Sequence, residues 1–144
     1  MKKHLVFLLV IMVGIVGLSS LAMASTLDEI KARGTIIIGT DATYPPMEFH
    51  DEEGNIIGFD IDLGNAIAEV LGVKAEFIDT AWDGIFPALD SKKFDIIMSS
   101  TSITEERLKS KDMSDSYYKT SQAIAVRKDD DSIKGPEDLV GKVV

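Results

Sequence analysis

The run Met98-Ser99-Ser100-Thr101-Ser102-Ile103-Thr104-Glu105-Glu106-Arg107 closes an apolar stretch in hydroxyls and then places a single arginine. Two kinds of chemistry fit that spacing. Ser102 and Glu105 stand in the S/T-x-x-E relation of a capping box, in which each side chain satisfies a backbone amide of the other. The same segment could receive a small zwitterion. Amides at a helix start and a forked guanidinium from Arg107 suit a carboxylate. The Ser100 carbonyl and the Thr101 and Ser102 hydroxyls suit an ammonium. The two readings are compatible, and the residues alone do not choose between them.

Other chemistries find less support. The chain has 144 residues, no cysteine and two histidines, so thiolate metal sites and disulfide staples are excluded. His50, beside Asp51, Glu52 and Glu53, reads as a solvated turn and not a metal ligand set. No G-x-S-x-G, Walker or G-x-G-x-x-G pattern occurs, and no histidine is placed to activate a serine. No cofactor is expected. The formal charge of −9 opposes binding to nucleic-acid phosphates.

The elements that must position these residues follow from periodicity and punctuation. Residues 1–24 combine a basic start, an apolar run and Ala22-Met23-Ala24, the pattern of a secretory signal peptide. Its removal takes away two lysines and no acid, leaving −11. Leu27–Arg33 reads as a helix stopped by Gly34, and Thr35–Thr40 as a buried strand. Asp41–Pro46 reads as an extended loop, and Asp51–Asn55 as the turn of a hairpin. Asp60 is expected to cap a helix running to Leu71, with Gly72 ending it. Strands over Val73–Ile78 and Phe94–Ser99 flank a helix at Asp83–Leu89, with Trp82 in the loop before it. A helix follows at about Thr104–Ser110, then a strand at Gln122–Arg127 and a helical turn opening at Gly135. Strands alternating with helices predict an α/β fold with a mostly parallel open sheet and flanking helices. In such a sheet Asp41, Tyr44 and Trp82 reach the edge where ligands collect, together with Ser100 and Arg107.

Several ordered motifs together resemble the polar amino-acid binding proteins of ABC importers, the bacterial extracellular solute-binding proteins of family 3. They are I-I-I-G-T-D-A-T-Y-P-P-M-E-F, G-F-D-I-D-L, W-D-G-I-F-P-A-L and D-I-I-M-S-S-T-S-I-T-E-E-R, with S-D-S-Y-Y and Q-A-I-A-V-R beyond. The resemblance implies a type II periplasmic-binding fold whose two lobes close on a ligand. It implies lobe one at residues 25–121, then a hinge strand and the start of an incomplete lobe two at 122–144.

The resemblance also implies roles. Arg107 and the Ser102 amide would take the ligand's α-carboxylate, Ser100 and Ser102 its ammonium. Tyr44 and Trp82 would contact the side chain, and Asp41 its polar or cationic end. The implied ligand is a free amino acid such as arginine, lysine, histidine or glutamine, delivered in the periplasm to a membrane permease. A single lobe is expected to bind more weakly than two, and to be open to strand exchange into a dimer. The alternatives are a dehydratase on the same fold and the sensor domain of a membrane receptor.

Overall fold

The computed structural model describes residues 25–121 and 123–143. The expected signal peptide lies outside them. The described chain falls into two compact units, one ending at Thr101 and one beginning at Ser102.

In the first unit, helix α1 spans Thr26–Arg33. Its start is a capping box: Ser25 Oγ accepts from the Asp28 amide at 3.3 Å, and Asp28 Oδ2 accepts from the Ser25 amide at 3.1 Å. Gly34, with φ +74°, ends it in the left-handed conformation that glycine adopts without steric cost. Strand β1 (Thr35–Thr40) follows, then the short strands β2 (Thr43–Tyr44), β3 (Glu48–His50) and β4 (Ile56–Ile57). Helix α2 (Phe59–Leu71), strand β5 (Lys74–Asp79), helix α3 (Trp82–Asp90) and strand β6 (Ile96–Ile97) complete the unit.

Among the described residues the strands form two sheets. One is parallel with order β5-β1-β6, and the other is antiparallel with order β2-β3-β4. β1 pairs along its whole length with β5, from Thr35 opposite Lys74 to Thr40 opposite Asp79. The parallel sheet and its helices match the expected α/β class, while the antiparallel ribbon is an addition. The core gathers Ile30 of α1, Ile36 and Ile38 of β1, Ala68 of α2 and Met98, all buried. Leu63, Ile67, Phe77 and Ile96 pack around them. The opposite parity of β1 carries Gly39, where the Phe94 ring occupies the space that a Cβ would need. Asp95 ties the sheet to α1. It forms an ion pair with Arg33, and its Oδ2 accepts from the Ile37 amide at 2.7 Å.

The structure departs from several expectations, each for a local reason. Asp60 does not cap α2. Gly58, at φ +131°, holds the cap position, and a Cβ there would run into the Met47 carbonyl. The first amides of α2 are satisfied by backbone: Phe59 N–H donates to the Pro46 carbonyl at 3.1 Å and Asp60 N–H to that of Met47 at 2.9 Å. A side-chain cap is therefore unnecessary, and Asp60 is fully buried instead. Trp82 is not in a loop but opens α3. Asp41–Pro46 is not wholly irregular, since Thr43 and Tyr44 pair with Phe49 and Glu48.

The second unit holds helix α4 (Glu105–Leu108) and a 3-10 turn at Pro136–Leu139. Thr104, not Ser102, is the N-cap of α4: its Oγ1 accepts from the Arg107 amide at 3.2 Å. The third helical residue is then Arg107, which has no acceptor to return, so a single bond forms in place of a capping box. Residues 123–127 form no ladder, and Ile124 and Val126 are exposed. A strand is defined by its partner, and an apolar alternation supplies none. No helix among the described residues is long and apolar enough to cross a membrane.

Candidate functional site

The strand order decides where a ligand can sit. The connection leaving β1 runs to β5 on one side, and the connection leaving β5 passes over to β6 on the other. Loops at the carboxyl ends of β1 and β6 therefore diverge and leave a crevice between them, the topological switch point where open α/β sheets take ligands. Asp41 follows β1 directly, and Ser99, Ser100 and Thr101 follow β6.

These loops are stitched together by side chains. Asp41 Oδ2 accepts from the Trp82 amide at 2.7 Å, and its Oδ1 accepts from Thr43 Oγ at 2.8 Å. The loop after β5, which leads into Trp82, is thus tied to the loop after β1. The Trp82 ring packs edge-on against Phe86, centroids 5.6 Å apart and planes 79° apart, and stays partly open to solvent. Tyr44, on β2, is 56% exposed. Two aromatic rings are therefore presented by this unit, as the sequence anticipated for Tyr44 and Trp82.

Ser100 is held in a left-handed conformation, φ +45°, which a residue with a Cβ adopts only under support. That support is Asp60, whose Oδ2 accepts from the Ser100 amide at 2.5 Å and from its hydroxyl at 3.2 Å. Beside it, Glu48 Oε1 accepts from Ser99 Oγ at 2.9 Å, and Ser99 Oγ in turn accepts from the Asp41 amide at 3.0 Å. Thr101 Oγ donates to the Ser99 carbonyl at 3.4 Å. Glu48 and Asp60 are almost wholly excluded from water, at 1% and 0% exposure. Burial lifts the Glu48 pKa to about 7, the Asp60 charge beside it adds to the rise, and the Ser99 hydroxyl opposes it.

Sequence reasoning placed Asp41, Ser100 and Trp82 correctly at one edge but missed Glu48, Asp60 and Ser99, which organise that edge. The available signal was Glu48 itself, an acid between Met47 and Phe49 in an apolar strand. Ser102 and Arg107 belong to the second unit, where Arg107 Nη1 donates to the Ser102 carbonyl at 2.7 Å. His50, read as a solvated turn residue, joins Asp79 at 2.9 Å and the Gly54 carbonyl at 3.1 Å. Among the described residues no group of three or more acidic or histidine side chains could hold a metal ion.

An α/β lobe with loops converging at a switch point defines a ligand-binding module of the periplasmic-receptor type. Residues 36–143 match the family model of the bacterial extracellular solute-binding proteins, family 3, and the chain belongs to that family. A probable amino-acid ABC transporter-binding protein of Haemophilus influenzae is 36% identical over 141 residues, covering 97% of this chain and 55% of the relative. The L-cystine-binding protein TcyJ of Escherichia coli K12 is 36% identical over 126 residues, covering 87% and 47%. The chain thus spans about half the length of the curated relatives it matches.

Solved structures agree. A point variant of domain 1 of the T. maritima arginine-binding protein, in its arginine-bound form, is 51% identical with a TM-score of 0.63. That match covers 64% of this chain and 71% of that one. The ancestral amino acid-binding protein AncCDT-1, described as a precursor of cyclohexadienyl dehydratase, is 57% identical with a TM-score of 0.74. It covers 80% of this chain and 51% of that one.

Proposed function

We propose that this chain receives a free polar or basic L-amino acid, arginine before lysine, histidine or glutamine, outside the cytoplasmic membrane for delivery to an ABC importer. The observation that carries the reading is the likeness to the arginine-bound domain 1 at 51% identity, a neighbour that is itself a single domain. A lobe of this kind can therefore hold arginine without a second lobe closing over it. The extracellular description of the family supports a periplasmic location and an export signal in residues 1–24.

The residue roles are those the motifs imply. Arg107, with the Ser102 amide, takes the α-carboxylate through paired charge-assisted hydrogen bonds. Ser100 and Ser102, with Thr101 beside them, accept from the α-ammonium. Tyr44 and Trp82 present aromatic faces to the side chain, where a guanidinium gains a cation–π contribution. Asp41 serves the same end by fixing the Trp82 amide. A dehydratase reading draws on the AncCDT-1 likeness, but that neighbour is itself described as an amino acid-binding protein.

Calorimetry of the full chain with L-arginine, L-lysine, L-histidine, L-glutamine and L-cystine tests the reading, alongside Arg107→Ala. Arginine should bind, and the variant should lose roughly a hundredfold in affinity, as expected for a lost ionic hydrogen-bonded pair of about 2–3 kcal/mol. Absence of binding by every amino acid, or an Arg107→Ala chain that binds as well as the parent, refutes it.

A further inference from the structure

Glu48 and Asp60 are both acids, both buried, and both directed at the same serine. Ser100 Oγ lies 3.2 Å from Asp60 Oδ2 and 3.4 Å from Glu48 Oε2, so one hydroxyl bridges the two carboxyl groups. Two bare anions so placed would repel in a medium of low dielectric, and among the described residues no cation acts on Glu48. One proton between them removes the repulsion, as in other paired carboxyl groups.

We propose that Glu48 and Asp60 are positioning residues that work as a unit carrying a single proton, and that this proton keeps Ser100 in its left-handed turn at the ligand edge. The inference rests on the amino-acid-binding reading, since Ser100 is there a contact to the ligand ammonium. Its reach extends past Ser100. Glu48 accepts from Ser99, Ser99 accepts from the Asp41 amide, and Asp41 holds the Trp82 amide. Loss of the proton therefore disturbs three loops at once, and ligand affinity falls as the medium becomes alkaline.

The other ionisable groups around the pair are few. Tyr44 stands opposite Glu48 on β2, and His50 lies two residues along β3. Asp62 is one turn boundary further along α2 and is exposed. Asp41 reaches the pair only through Ser99. Glu48→Gln isolates the effect from all of these, because glutamine keeps the shape, is neutral at every pH, and leaves the other groups in place.

Two measurements on the full chain decide it. In calorimetry with L-arginine from about pH 6 to about pH 9, parent affinity should fall about tenfold or more, while Glu48→Gln should change by less than about threefold over the same range. Parallel profiles overturn the proposal. The second measurement needs no ligand and so survives failure of the binding reading: carbon and amide NMR of the Glu48 carboxyl and the Ser100 amide. Both signals should move together with a midpoint near neutrality, and the Ser100 amide should stop moving in Glu48→Gln. A Glu48 carboxyl titrating in the ordinary glutamate range, or a Ser100 amide indifferent to pH, overturns it whether or not arginine binds.

Discussion

Asp41 offers the sharpest separation between a residue that touches ligand and one that holds the site together. Its two oxygens accept from the Trp82 amide at 2.7 Å and from Thr43 Oγ at 2.8 Å. Bonds to an ionised acceptor contribute about 1.5–3 kcal/mol each, with the lower end fitting this partly exposed position. Asp41→Ala loses both, about 3 kcal/mol, which in a domain of this size lowers the melting temperature by roughly 12–24 °C. Asp41→Asn keeps one acceptor oxygen and loses one bond, so the fall should be about half as large. The binding assay then distinguishes the roles. If Asp41 works by placing Trp82, Asp41→Asn weakens arginine and glutamine by the same factor, about tenfold for 1.4 kcal/mol. Calorimetry with both ligands and a melting curve without ligand give all the numbers required. A variant with an unchanged melting temperature that loses arginine alone would refute the reasoning, because only a direct charge contact discriminates in that way.

Other expectations follow from the same geometry. His50 has both ring nitrogens against acceptors, so both bonds form only in the imidazolium; the Asp79 hydrogen bond, then that to Gly54, raises its pKa above the ordinary 6.5. Its stabilising contribution is present below that value and is lost as pH rises through the folded pKa. Asp79, whose pKa this bond lowers from 3.8, contributes only above that ordinary value, so the pair acts in mildly acidic solution. The melting-temperature difference between the parent and His50→Gln should accordingly shrink from about pH 6 to about pH 9, and a constant difference would contradict the pairing. Gly58→Ala combines a positive φ with a clash against the Met47 carbonyl, costing about 3 kcal/mol or more and about 12 °C or more in melting temperature. Thermal denaturation showing a change below about 3 °C would rule out the strained geometry at α2's start.

The expectations that survived came from local rules. α1 and its Gly34 stop, β1 over Thr35–Thr40 and α2 with its Gly72 stop were legible because periodicity and glycine punctuation act within a few residues. The expectations that failed depended on partners elsewhere in the chain. Asp60 was taken for a cap because its place before an apolar helix fits one; the carbonyls of Pro46 and Met47 had already satisfied those amides. Ser102 matched the capping pattern with Glu105, but the chain enters α4 two residues later, at Thr104. Ala123–Arg127 had the alternation of a strand and found no partner among the described residues.

By itself the sequence determined the α/β class, the family, and the set of hydroxyl, aromatic and arginine residues from which a zwitterion site can be built. Those properties are written in spacing, side-chain chemistry and the order of motifs. Only the tertiary structure decided how the edge is held: Asp41 bound to the loop after β5, Ser100 turned left-handed, and Glu48 and Asp60 buried side by side beneath it. The reason is physical. Whether a carboxylate is a cap, a ligand contact or a proton-sharing support depends on which donors and which other charge lie within about 3 Å of it. Residues forty positions apart supply those neighbours here, and linear spacing does not encode that distance.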